Sequence, residues 1–164
     1  MLIREYSTHV VLLLLVGLLL GCGGKVPTSQ SDSQGVGSAL DPHDVPITEA
    51  DVQMPAGYAA AIPRICAYRD TIRTESQGAT PANAHRALDE LNIVLGKLPT
   101  LARDSGVPKE RWETINTTAR ELRNLFNQVH SAIDAGRKPD YAALANPIEN
   151  GITRLAESAP AASN

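Results

Sequence analysis

The chain has 164 residues, with 15 Lys and Arg against 18 Asp and Glu and a formal net charge of −3. It carries no basic block, which argues against an electrostatic grip on nucleic acid or on anionic lipid headgroups. Only 4% of the residues are aromatic, so a core must come from Leu, Ile, Val and Ala, a composition that favours closely packed helices over a β-sandwich.

The first element is an apolar run over residues 10–20, about 11 residues long, against roughly 20 for a helix that crosses a bilayer. It reads as the hydrophobic region of a secretory signal, with Gly21, Gly23 and Gly24 behind it. The basic start is weak, because Arg4 is opposed by Glu5. The run closes on Leu19-Leu20-Gly21-Cys22. This tetrapeptide resembles the lipobox of bacterial lipoproteins.

That resemblance implies a diacylglycerol thioether on Cys22, cleavage just before it, and two or three acyl chains on the mature N-terminus. Two chains anchor stably where one does not, at about 0.8 kcal/mol per buried methylene. It also implies a cell-envelope location, periplasmic or surface-facing, with the membrane as the first partner. A signal peptide cut elsewhere is the alternative reading of the same run. The chain has two cysteines, so acylation of Cys22 leaves Cys66 without an intramolecular partner. Cys66 is then expected to be a buried packing residue, with an intermolecular disulfide or a reactive thiol as alternatives.

From Gly23 to about Gly57 the sequence is rich in Gly, Ser, Pro, Gln and Asp and shows no sustained apolar period. It reads as a disordered tether, in which His43 is solvated. About 35 such residues hold a domain roughly 30 Å from the membrane on average. The expected organisation is a signal peptide over 1–21, a lipid-anchored tether over 22–57, a bundle over 58–159 and a short tail over 160–164.

Four periodic segments follow. Tyr58, Ala61, Ile65, Tyr68 and Ile72 recur at intervals of 3, 4, 3 and 4, and Ala84, Leu88, Leu91, Leu95, Leu98 and Ala102 at 4, 3, 4, 3 and 4. Trp112, Ile115, Ala119, Leu122, Phe126, Val129 and Ile133 form the longest set, and Tyr141, Ala145, Ile148, Ile152, Leu155 and Ala159 the last. Each set lies on one helical face. Four such segments with short connections predict an all-α fold, an antiparallel up-down four-helix bundle. The helices are expected near 58–76, 81–104, 108–135 and 140–158. Pro81 and Pro108 suit first turns, Thr80 can cap the second helix, and Gly78, Gly106 and Gly136 mark helix ends. Arg137 and Lys138 complement the negative end of the third helix. Pro63 and Asn146-Pro147 fall inside the first and fourth helices, which should kink or start late.

One constellation carries chemistry. His85-Arg86-Ala87-Leu88-Asp89 and His130-Ser131-Ala132-Ile133-Asp134 repeat a His–Asp pair at i, i+4, a spacing that puts both side chains on one helical face. The turn near Gly106 sets the second and third helices antiparallel and brings the two histidines to similar heights. His85, Asp89, His130 and Asp134 are therefore candidate ligands for a divalent metal such as zinc or copper, the carboxylates either binding directly or orienting the imidazoles. Haem held by the two histidines is a variant, although the chain lacks a Cys-x-x-Cys-His attachment sequence and Met54 falls in the tether. Two exposed His–Asp ion pairs that bind nothing are the simpler alternative. Asp70 and Glu75 are spatial candidates for a further ligand.

Other signals are thinner. Asn116-Thr117-Thr118 fits a polar helix face better than a glycosylation site, and Trp112 fits packing at the end of the core, with a partner anchor as its alternative. No phosphate-cradling glycine loop and no Gly-x-Ser-x-Gly nucleophile motif occurs. The expectation is a non-enzymatic, membrane-anchored binding or structural module that meets an envelope protein and needs no cofactor. A metal- or haem-binding bundle is the alternative.

Overall fold

The computed structural model describes residues 46–160. Among them are four α-helices and no strand: α1 (Tyr58–Gln77), α2 (His85–Asp104), α3 (Trp112–Asp134) and α4 (Tyr141–Glu157). Each helix packs against its neighbours in sequence, and α1 closes the ring on α4. This is the antiparallel bundle that the four apolar stripes predict. None of these helices is long and apolar enough to cross a membrane. The signal region 1–21, Cys22, His43 and residues 161–164 lie outside the described residues.

The core is built from the expected stripes. Every periodic residue of the first two segments is buried, and so are all those of the third except half-buried Trp112. Ala87 and Val94 widen the stripe of α2, and Ala145 of α4 and Ala159 just beyond it are only partly covered. A bundle helix buries three or four residues every two turns, which a strict two-position pattern undercounts.

Polar contacts fix the two ends. At one end the Tyr58 amide donates to Ser105 Oγ at 2.9 Å and its hydroxyl to the Leu155 carbonyl at 2.8 Å. There Arg111 also donates to the Glu157 and Ala159 carbonyls. At the opposite end Gln77 donates to the Pro139 carbonyl at 2.9 Å. That second end also gathers the start of α2 and the finish of α3. With 20 residues in α1, the two ends stand about 30 Å apart.

Helix boundaries follow local chemistry with some departures. Gly106 and Gly136 adopt φ of +72° and +64°, conformations that suit glycine. Each closes a helix with paired backbone bonds, Val107 to Ala102 and Gly106 to Arg103, then Arg137 to Ala132 and Gly136 to Ile133. The second and third helices begin as 3-10 turns, Pro81–Ala84 and Lys109–Arg111, so Pro108 stands before its turn as the cap residue. Thr80 occupies the expected cap position, but its side chain makes no capping bond. Asp140 does cap, accepting from the Ala143 amide at 3.2 Å. Pro63 and Pro147 lie inside α1 and α4, yet those helices start on Tyr58 and Tyr141 rather than late. A proline removes one backbone bond, and burial of Ala61, Ile65 and Ile148 around these sites carries the helices across the gap. α2 also runs through Pro99.

The expected tether boundary at residue 57 moves toward the N-terminus. A 3-10 turn at Glu49–Asp51 is held by Thr48, whose amide and hydroxyl both donate to Asp51 at 2.8 Å. These bonds hold the Asp51 carboxyl below its ordinary value. Val52 is buried, Ile47 and Met54 pack on the core, and Lys97 pairs with Glu49 at 2.6 Å. Three apolar residues at irregular spacing cannot show a period, so this segment is silent to pattern reading.

Candidate metal centre

The site is assembled by two helix ends. His85 is the first residue of α2, delivered by the 3-10 turn before it, and Asp134 is the last residue of α3, one turn beyond His130. Because α2 and α3 are antiparallel, the three side chains meet at the end of the bundle remote from Tyr58. His85 Nε2 lies 3.1 Å from Asp134 Oδ1, and His130 Nε2 lies 3.7 Å from the same oxygen. The imidazole centroids are 5.0 Å apart with the rings inclined at 48°. All three donor atoms fall within 4.8 Å of one another.

These separations suit a shared cation. With metal–nitrogen and metal–oxygen bonds of about 2.0–2.2 Å, the edges of a tetrahedral shell are about 3.4 Å long. The two measured nitrogen–oxygen edges lie on either side of that length. His85 Nε2 is buried and makes no hydrogen bond despite its short distance to Asp134, because the direction is wrong for one. A cation shared by the three side chains would give this nitrogen the partner that Asp134 does not supply. A buried imidazole nitrogen without a partner is otherwise costly.

Burial is graded across the cluster. The His85 side chain is 17% exposed, that of His130 32% and that of Asp134 58%. The histidines thus form the floor and the carboxylate the rim.

No protein-family model, no curated protein and no solved structure matches this chain. The site therefore stands on its own geometry.

Of the four residues expected from the His–Asp repeat, the structure joins three. His130 and Asp134 share a helical face as the spacing requires. His85 does not turn to Asp89 but crosses to Asp134, and half-buried Asp89 stands outside the cluster. Side chains tilt toward the N-terminus of their helix. At the first position of α2 this tilt carries His85 back over the 3-10 turn toward the end of α3, and it carries Asp134 back toward His130.

Asp70 and Glu75 are also elsewhere. Asp70 pairs with Arg69 at 3.1 Å and Arg73 at 3.2 Å, and the Arg69 hydrogen bond holds its carboxyl below the usual range. Glu75 faces Asn83.

The remaining sequence candidates lie outside the cluster. Trp112 is half-buried, donates from Nε1 to the Val107 carbonyl at 2.8 Å and carries Lys109 over its ring. Cys66 is a free thiol, half-buried rather than fully enclosed. Thr118 is buried, so Asn116-Thr117-Thr118 is not wholly a polar face. An open groove of about 550 Å³ lies between α3 and α4, lined by Leu122, Leu125, Pro147 and Gly151 and rimmed by the Glu121–Arg154 ion pair. Its one legible signal is Gly151, a glycine in the middle of a helix.

Proposed function

We propose that this protein is a lipid-anchored envelope module, non-enzymatic, whose helical bundle binds a divalent transition-metal ion through His85, His130 and Asp134. The observation that carries the reading is the convergence of two imidazoles and one carboxylate from two helices, with a buried His85 nitrogen that no hydrogen bond satisfies. Two nitrogens and an oxygen suit zinc, with copper(II) the competing ion. The Asp134 carboxylate within 3.1 and 3.7 Å of the two imidazole nitrogens favours a small cation over haem, which would need a flat slot between the rings.

The anchor belongs to the same proposal and rests on Leu19-Leu20-Gly21-Cys22. Acylation at Cys22 would confine the bundle to a membrane surface, where an envelope protein is its expected partner.

Metal content and mass together test the reading. The protein recovered from a membrane fraction should carry about one zinc or copper per chain and a mass showing acyl groups on an N-terminal Cys22. Changing both His85 and His130 to Ala should remove the metal and leave the acylation. A preparation that takes up no stoichiometric metal after zinc or copper addition rules out the cation site. An unmodified Cys22 in membrane-derived protein rules out the anchor.

A further inference from the structure

We infer that the ion at His85, His130 and Asp134 keeps a fourth coordination position on the solvent side and fills it with an anionic donor from outside the chain. This rests on the metal-binding reading above. Among the described residues, the cluster supplies three donor atoms and no fourth. Structural zinc sites are closed by four protein ligands, whereas three-ligand sites keep a place for water or an incoming group.

The exposure gradient gives that place a direction. His85 is the most enclosed ligand and Asp134 the most exposed, so the unfilled side of the shell faces outward past the carboxylate. Two neutral imidazoles and one carboxylate leave a divalent ion with a net charge of about +1, which favours an anionic fourth ligand. A carboxylate or thiolate on a small molecule or on another protein meets that requirement.

The position in the fold agrees. The site occupies the end of the bundle opposite the start of α1, and Asp134 is followed by the Gly136 turn rather than by a covering element. The competing closure is chelation by the second oxygen of Asp134, which would fill the fourth position from within.

Cobalt(II) separates these arrangements, because its visible bands report coordination. The full chain, purified in detergent and loaded with one equivalent of cobalt(II), is titrated with sodium azide. The expected result is a saturable shift and change in intensity of the visible bands, absent from His85→Ala/His130→Ala protein, whose fold is checked by far-UV circular dichroism. Asp134→Asn should weaken cobalt binding by more than about tenfold, since even outer-shell partners are worth about 10–100-fold. Bands that form but do not respond to azide mean a closed shell and overturn this inference while leaving the metal site intact. Absent bands in the unaltered protein, or bands that persist in the double variant, overturn both.

Discussion

Two glycines in helix interiors make opposite demands on a methyl group. A Cβ on Gly151 would lie 2.8 Å from Leu122 Cδ2 and 3.0 Å from its Cγ, inside contact distance of a fully buried side chain. A Cβ on Gly96 would meet nothing within 4 Å. Each Gly→Ala change gains about 0.5–1 kcal/mol of helix propensity. At Gly151 that gain is opposed by about 1–3 kcal/mol of overpacking, because the Cγ and Cδ2 atoms of buried Leu122 would have to shift out of their packed positions. Gly151→Ala should therefore destabilise the protein by about 1–2 kcal/mol, and Gly96→Ala should stabilise it by about 0.5–1 kcal/mol. Urea denaturation followed by far-UV circular dichroism measures both. Adding Leu122→Ala to Gly151→Ala should cost less than the sum of the two single changes, since the shortened side chain relieves the overlap. If Gly151→Ala were as stable as the unaltered protein, α3 and α4 would not approach as closely as the structure has them.

Tyr58→Phe deletes the buried hydrogen bond to the Leu155 carbonyl and should cost about 1 kcal/mol, whereas Tyr141→Phe removes a buried hydroxyl that has no partner and should be neutral or stabilising in the same denaturation assay. Burial pushes both phenols up to about 12 from 10. The folded state thus holds these protons after the unfolded chain has lost them, and stability should decline as pH rises from 10 to 12, by on the order of 2–3 kcal/mol for each tyrosine. Tyr141→Phe should make that decline shallower, and an equally steep decline would show that Tyr141 is not the buried group. Asp140→Ala removes the cap that accepts from the Ala143 amide and should lower the melting temperature through a loss of about 0.5–2 kcal/mol.

Helices were legible in the sequence wherever apolar residues repeat. The seven-residue stripe from Trp112 to Ile133 anticipates the buried face of α3, and the glycines after α2 and α3 stand where positive φ ends each helix. Boundaries were less legible where a proline-led 3-10 turn precedes a helix, because Pro81 and Pro108 suit either geometry. The segment carrying Val52 and Met54 escaped notice, since its docking depends on a core surface built by residues distant in the sequence. The His–Asp repeat pointed to the right end of the bundle but the wrong acid for His85. Spacing along one helix is visible in sequence. Whether His85 turns along α2 to Asp89 or across to Asp134 depends on the registry of α2 against α3, which no local pattern encodes.

That choice of carboxylate gives the most direct test of a cation shared between α2 and α3. Zinc is titrated into the full chain while its melting temperature is followed, comparing the unaltered protein with Asp134→Asn and Asp89→Asn. A ligand at about 100 times its dissociation constant raises stability by about 2.7 kcal/mol, so a clear upward shift is expected for the unaltered protein and for Asp89→Asn. Asp134→Asn should lose most of it. Loss of the shift in Asp89→Asn with retention in Asp134→Asn, or no shift in any of the three, would contradict the site.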